Sequence, residues 1–294
     1  IKAASLNFPD LLMTQGKYQN KPELPFALGM EGSGVISEIG KNVKSLKNGD
    51  EVMFGSWGHG AIAKEIVLPS SMVSLKPAKY TFAEAAAFKT VYLTAYVGLI
   101  RRGNLKDGET LLVHGASGGV GMAAVELGKL YGAKVIATGT SDEKLKVVKS
   151  WGADHVINTI KNEKTSFREE VKDLTDGKGA DIIYDPVGGD VFDESIRCIN
   201  WGGRILVIGF SAGRISNLPV NYPLIKGFSV IGVRAGEFGR RNPELGTENI
   251  EIINSLANEG KLKPHVCKIF EFKDSLKALE YLKAVSYTHL RAHE

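Results

Sequence analysis

The chain has 294 residues, 43% of them hydrophobic and 24% charged, and its 37 Lys and Arg against 33 Asp and Glu leave a net charge of +4. This composition excludes wholesale disorder, and basic residues that are few in excess and scattered give no footprint for nucleic acid. No apolar run approaches the roughly 20 residues of a membrane helix, and the two cysteines, Cys198 and Cys267, exclude a disulfide scaffold or a cysteine-based zinc cluster and suit a reducing cytoplasm.

The first residue is Ile1, and no charged-then-apolar leader follows it. Ile1 to Leu6 reads as a strand entered partway, and Asn7-Phe8-Pro9-Asp10 as a turn. Gly29 to Val52 is rich in β-formers and punctuated by glycine, which predicts short strands of a partly open barrel or small sandwich. Residues up to about Leu93 therefore read as one mostly β domain. Phe82 to Phe88 is Ala-rich and helical, and Gly98 to Arg102 closes another helix.

From Thr110 the pattern alternates. Strands are predicted at Leu111–Val113, Lys134–Ala137, Val156–Ile157, Ile182–Tyr184, Ile205–Ile208 and Phe228–Val233. Helices are predicted at Val120–Tyr131, Glu143–Ser150, Phe167–Leu174 and Phe192–Ile199. Such alternation means βαβ units, hence an α/β chain with a doubly wound parallel sheet. Gly132-Ala133, Gly152-Ala153 and Gly202-Gly203 stand where helix C-caps are expected. Ile250–Asn258 and Leu276–Leu282 are two later helices, expected to pack back on the first domain.

Leu112 to Gly121 joins the first of these strands to the first helix. A dinucleotide diphosphate needs backbone N–H groups at a helix N-terminus and no side chain in the way. Gly115, Ala116, Ser117, Gly118, Gly119, Val120 and Gly121 supply that pattern, in the strand-turn-helix context that gives a glycine motif its meaning. The end of the second strand selects the dinucleotide. It carries no acid at once, but Thr140 and Ser141, with Lys144 one turn later. Ser141 and Lys144 would serve a 2′-phosphate and favour NADPH, with NADH weaker, while Asp142 and Glu143 suit the helix N-terminus. Ligands bind at the carboxyl ends of parallel strands, so Val187-Gly188 and Gly209-Phe210-Ser211 are further candidates for ribose and nicotinamide. His114 reads as packing, Cys198 as core and Cys267 as inert.

These residues complete a resemblance. Asn7-Phe8-Pro9-Asp10, Gln15-Gly16-Lys17-Tyr18, Gly29-Met30-Glu31-Gly32, Gly49-Asp50-Glu51-Val52, Thr94-Ala95-Tyr96, Gly115 to Gly121 and Tyr184 to Gly189 resemble the zinc-free medium-chain dehydrogenases/reductases, close to their NADPH:quinone oxidoreductase-like (zeta-crystallin-like) group. The likeness runs over roughly residues 1–284. It implies a GroES-like catalytic domain at 1–93, a Rossmann NADP-binding domain at 94–234, a return to the catalytic domain at 235–285 and an active site between the two. Residues 286–294 have no family counterpart and read as a non-native tail, and the family's usual end strands are absent. Zinc-dependent relatives have Cys at the position of Asn7 and His at that of Met30, and neither replacement is a good zinc ligand. The resemblance therefore implies no metal, and an acceptor that is already electrophilic: a quinone or an activated enone or enoyl compound.

Three residues are candidates to carry the chemistry. Asn7 would hydrogen-bond substrate oxygen or nicotinamide, or form a local Asx turn. Thr94 matches the family threonine beside the nicotinamide. Tyr18 would donate a hydrogen bond or a proton to the oxygen that gains charge, or stack on the ligands. The alternatives are a 2-enoyl-thioester reductase and an NADPH-binding protein without a catalytic role. The resemblance further implies a homodimer joined near Phe228–Val233, while cysteine usage suits the cytoplasm, the lack of a long apolar run argues against membrane insertion and the modest, scattered charge argues against nucleic acid.

Overall fold

The computed structural model describes residues 1–56, 60–160 and 167–287. His59, the loop at Gly55–Gly60 in part, and the His289/His293 pair of the tail lie outside the described residues. The chain divides into two compact units. Unit 1 comprises Ile1–Thr90 and Asn254–Ser286, and unit 2 comprises Val91–Ile253.

Unit 1 is built on a four-stranded antiparallel sheet of β1 (Ala3–Ser5), β2 (Glu31–Val35), β3 (Glu51–Gly55) and β4 (Val73–Leu75), in that spatial order. Met53 is fully buried, flanked by Val52 and Phe54. Between β1 and β2 stands α1 (Phe8–Thr14), where the sequence suggests a turn. Proline is tolerated in the first turn of a helix, whose N–H groups have no intrahelical acceptor. Asp10 completes the start by accepting the Asn7 N–H through Oδ2 at 2.8 Å. The helix α2 (Phe82–Ala86) opens on a capping box. The Thr81 N–H donates to Glu84 Oε2 at 2.8 Å and the Glu84 N–H to Thr81 Oγ1 at 3.2 Å.

Helix α3 (Lys89–Tyr96) carries the chain from unit 1 into unit 2 and continues as a π-helical turn over Val97–Arg102. Unit 2 then alternates: β5 (Thr110–Val113), α4 (Gly119–Leu130), β6 (Lys134–Gly139), α5 (Asp142–Ser150), β7 (His155–Asn158), α6 (Phe167–Asp173), β8 (Ala180–Asp185), α7 (Gly189–Cys198), β9 (Ile199–Val207), α8 (Asn221–Lys226) and β10 (Ser229–Gly232). The six strands are all parallel in the order β10-β9-β8-β5-β6-β7. The chain starts in the middle, winds one way through β6 and β7, then the other way through β8, β9 and β10. The direction reverses between β5 and β8, which is where doubly wound sheets open their ligand crevice. Leu112, Ile136, Ile183 and Ile205 are fully buried in a core that includes Phe167 and Val171 of α6 and Phe192 and Ile196 of α7. Parallel strands covered on both faces need such continuous apolar runs.

Gly132 and Gly152 follow α4 and α5 with φ of +81° and +115°, as C-caps do. Gly202-Gly203 does not: α7 has ended at Cys198, and the pair lies inside β9, with Gly202 at φ +71°. A long strand that begins directly at the helix end absorbs the glycines as a local irregularity rather than a cap. The last helices are α9 (Ala235–Arg241), α10 (Pro243–Asn258) and α11 (Ser275–Tyr287). The chain returns to unit 1 at Asn254, not at residue 235. The earlier part of α10 is anchored in unit 2 by Arg101, which donates to Asn249 Oδ1 at 2.7 Å and meets Glu248 at 2.9 Å. Within unit 1, the Tyr80 hydroxyl donates to the carbonyl of Leu262, and Lys268 lies over the rings of Phe270 and Tyr281.

Candidate functional site

In unit 2 the turns that follow the adjacent parallel strands β5, β8 and β9 lie at the carboxyl end of the sheet. Gly115 leaves β5 at φ +53°, where an L side chain is strained. Gly121 is constrained differently. A Cβ on it would stand 2.5 Å from the carbonyl oxygen of Gly115 and 2.7 Å from Cα of Ala116, so only glycine lets the first turn of α4 lie against the β5 turn. Gly118 is the N-cap, and Gly118 and Gly119 are exposed. The N–H groups of Gly119, Val120 and Gly121 open the helix with no intrahelical acceptor. Ala116 does another job. Its side chain is fully buried and its N–H donates to Thr138 O at 3.0 Å, so it fixes the turn to β6.

Beyond β8, the buried carboxylate of Asp185 accepts the N–H groups of Val187 and Gly188 at 2.8 and 2.9 Å. Burial pushes this carboxyl up to about 6. Ser211 donates its N–H to Pro186 O at 3.1 Å and Ala212 to Val187 O at 3.0 Å, which sews the β9 turn onto the β8 turn. Phe210 is partly exposed between them, and a Cβ on Gly188 would meet its ring at 3.0 Å. Thr140 ends the β6 side. Ser141 is the N-cap of α5 and accepts the Lys144 N–H at 3.4 Å, while Lys144 itself is exposed. Asp142 is held by Asn158 of β7, whose Nδ2 donates to Oδ1 at 2.7 Å.

Behind the turn, His114 is fully buried between two hydroxyls. Its Nδ1 is 2.8 Å from Thr138 Oγ1 and its Nε2 is 2.8 Å from Ser195 Oγ. Ser195 donates its own proton to Val191 O at 2.6 Å. It therefore accepts from His114 Nε2–H, and Thr138 donates to Nδ1. Burial holds the imidazole down to about 3, so the ring is neutral and structural.

In unit 1 a second polar cluster surrounds Asn7, the residue before α1. Its Nδ2 donates to Glu31 Oε1 at 2.8 Å. The other carboxylate oxygen, Oε2, accepts the Thr90 N–H at 2.8 Å. Glu31 is 1% exposed, and burial pushes its carboxyl up to about 7 against the bonds from Thr90 and Asn7, with the negative Asp10 adding to the rise. Asp10 is itself fully buried, accepting from Gly29 N at 2.9 Å through the oxygen that Asn7 does not use. Its carboxyl is also raised, by burial first. Lys89 donates to Met72 O at 3.2 Å and Ser74 Oγ at 3.0 Å. Burial lowers its ammonium to about 8, and the attraction of Glu31 opposes that fall.

Of the three residues predicted to carry chemistry, Asn7 and Tyr18 belong to unit 1 and Thr94 to unit 2. Tyr18 is half-buried in the irregular stretch after α1, and Thr94 is half-buried in α3. Sequence reasoning passed over Glu31 and Lys89. Each was marked by being a charge in an apolar stretch: Glu31 within Gly-Met-Glu-Gly, and Lys89 between Ala85-Ala86-Ala87-Phe88 and Thr90-Val91-Tyr92-Leu93.

Two family models match the chain: the alcohol dehydrogenase GroES-like domain over residues 1–78 and the zinc-binding dehydrogenase over residues 119–250. A quinone oxidoreductase-like protein 2 homolog from Nematostella vectensis is 40% identical over 272 residues, covering 92% of this chain and 73% of the relative. A mycobacterial protein solved in complex with NADPH superposes with a TM-score of 0.87 at 28% identity, covering 97% of this chain and 87% of that one. CurK enoyl reductase gives a TM-score of 0.85 at 27% identity, covering 99% and 87%. At Asn7 and Met30, where zinc-dependent relatives have Cys and His, the side chains present do not suit zinc. Asn7 gives its amide to Glu31, Met30 is a buried thioether, and among the described residues no three His, Cys, Asp or Glu side chains converge as a metal site. Both units, their sheet order and their relatives agree: the chain belongs to the medium-chain dehydrogenase/reductase superfamily, among its quinone oxidoreductase-like members.

Proposed function

We propose that this oxidoreductase uses NADPH, works without a metal, and reduces a quinone or another activated alkene or carbonyl compound. The observation that carries the reading is the β5–α4 turn, where Gly121 is barred from any side chain by backbone on two sides and exposed glycines precede a helix N-terminus. That cradle fits a diphosphate. Gly118 to Gly121 would hold it through N–H groups and the positive end of α4. Thr140, Ser141 and Lys144 would take a 2′-phosphate, and Val187, Gly188 and Gly209 to Ser211 would border the rest of the cofactor. NADPH supplies the hydride when bound. Asn7, Tyr18 and Thr94 would orient the acceptor, and the Tyr18 hydroxyl would donate to the oxygen that gains charge.

The likeness to CurK enoyl reductase supports a second reading, reduction of a 2-enoyl thioester. Parallel assays of NADPH oxidation with a small para-quinone and with a crotonyl thioester separate the two. Turnover of the quinone alone is expected. Turnover of the thioester alone overturns the quinone assignment, and absence of both despite NADPH binding overturns the enzymatic one. Tyr18→Phe is expected to lower kcat about tenfold or more with the preferred acceptor while leaving NADPH affinity within about twofold.

A homodimer with cytoplasmic residence completes the proposal. In support, β10 is an edge strand, and Trp201, Leu224 and Ile225 are 75%, 81% and 66% exposed, an apolar display that a partner would cover. Sedimentation of the chain at its monomer mass of 31.8 kDa would overturn the dimer. No described helix is long and apolar enough to cross a membrane.

A further inference from the structure

Asp185 is the last residue of β8, one of the two strands between which the winding of the sheet reverses. Its backbone carbonyl accepts the Ile208 N–H at 2.9 Å, at the end of β9, and its side chain folds the turn that follows β8. That turn lies against the turn after β5. A Cβ on Gly115 would stand 3.1 Å from Val187 Cγ2 and 3.5 Å from Pro186 Cγ. The side chain is therefore enclosed where the β8 turn is joined to those of β5 and β9, and it is 1% exposed.

A buried carboxylate is ordinarily neutralised by a cation or saturated with hydrogen bonds. Asp185 has neither. Both N–H groups that it accepts go to Oδ1, and Oδ2 takes no bond from a described residue. No Lys, Arg or His among the described residues pairs with it. Arg214, in the loop after β9, is engaged by Asp190 and Asp193 of α7. His114, just after β5, is neutral and bonded to two hydroxyls. To fold the turn, one neutral acceptor would be enough, and asparagine or serine supplies that without burying a charge. The charge of Asp185 is thus left for a positive group that the protein itself does not provide.

We propose that the Asp185 carboxylate is the counter-charge for the oxidised nicotinamide ring, favouring the cationic form of the cofactor over the neutral reduced form. The inference rests on the reading that this site holds NADPH, with the turns after β8 and β9 at its nicotinamide end. In the reduction, a C–H bond of the reduced ring breaks and the hydrogen leaves with both bonding electrons for the acceptor. The acceptor then takes one proton from water, and the ring is left with one positive charge. A negative charge fixed in a low-dielectric site stabilises that product and the transition state leading to it. Asp185 suits the task because two backbone N–H groups and the enclosing turns hold it in place before the positive charge develops.

Asp185→Asn in the full-length chain tests this. The carbonyl oxygen of Asn can accept the same two N–H groups, so the turn is kept while the charge is removed. Asp185→Ser, whose hydroxyl oxygen can also accept a turn N–H, is a second neutral variant should the first fail to fold. Dissociation constants of NADP⁺ and NADPH are measured by calorimetry at pH 8, where a carboxyl pushed up to about 6 by burial is ionised. Their ratio cancels the contacts to diphosphate, ribose and 2′-phosphate, which the two forms share. In either neutral variant NADP⁺ binding is expected to weaken about tenfold relative to NADPH. An unchanged ratio overturns the inference and leaves the cofactor reading standing. If both constants also rise together, Asp185 serves the fold of the turn alone. A wild type that binds neither nucleotide overturns the cofactor reading, and the inference with it.

Discussion

The polar groups buried around Glu31 in unit 1 and around His114 in unit 2 are alike in exposure and opposite in chemistry. His114 sits between two hydroxyls, each of which has one way to satisfy it, and the ring is held neutral over the whole physiological range. Nothing is left to exchange. Glu31 is bonded by the backbone N–H and the hydroxyl of Thr90 and by the Asn7 carboxamide, close to a second carboxylate and an ammonium. It can satisfy its partners in two ways. Burial alone therefore does not distinguish a structural polar group from one poised to act. What distinguishes them is whether the partners admit a second arrangement at similar free energy.

The largest break in this comparison is expected from His114→Leu. The Thr138 hydroxyl loses its acceptor and Ser195 a donor, a loss on the order of 3 kcal/mol at pH 7 by urea unfolding. The gap to wild type should narrow in acid. The native ring stays neutral down to about 3, whereas the unfolded chain takes up the proton below its ordinary 6.5. Stability from this group is thus present above 6.5 and drains away as pH falls toward 3. A constant gap would show that His114 is not held neutral.

Glu31→Gln is expected to show the opposite sign and a comparable effect. The native carboxyl keeps its proton up to about 7, while the unfolded chain releases it near 4.5. The wild type thus holds this stability below 4.5 and loses on the order of 3 kcal/mol between 4.5 and 7, a slope the variant lacks. Unfolding midpoints of both proteins at pH 5 and 7.5 would show it, and parallel pH dependences would refute it. The smallest effect belongs to an exposed polar contact. Ser141→Ala breaks a 3.4 Å cap and should cost about 0.5 kcal/mol. If Ser141 serves the 2′-phosphate, NADPH affinity falls roughly tenfold with NADH unchanged.

Unit 2 was legible in the sequence because its signals are local. Leu111-Leu112-Val113 and Ile182-Ile183-Tyr184 are contiguous apolar runs, and the Gly115 to Gly121 turn joins a strand to a helix within ten residues of chain. Short helices without an apolar period, such as α8, were not legible, and neither was α1, where proline speaks equally for a turn and for a first helical turn. The Glu31 cluster was hidden for another reason. Asn7, Glu31 and Thr90 are separated by 24 and 59 positions, and only the antiparallel pairing of β1 with β2, together with the start of α3, brings them into bonding range. A sequence can advertise an out-of-place charge, but the partners that give it meaning come from the fold.

The bond between the Tyr80 hydroxyl and the Leu262 carbonyl joins positions 182 residues apart, and it has a consequence for biosynthesis. Every residue of unit 2 up to Ile253 leaves the ribosome before Leu262 does. The inserted sheet can therefore close on its own contiguous segment, while the first 90 residues wait in the cell without the stretch that completes them. The nascent chain thus exposes its older unit longest, and that interval is when a chaperone would have most to hold.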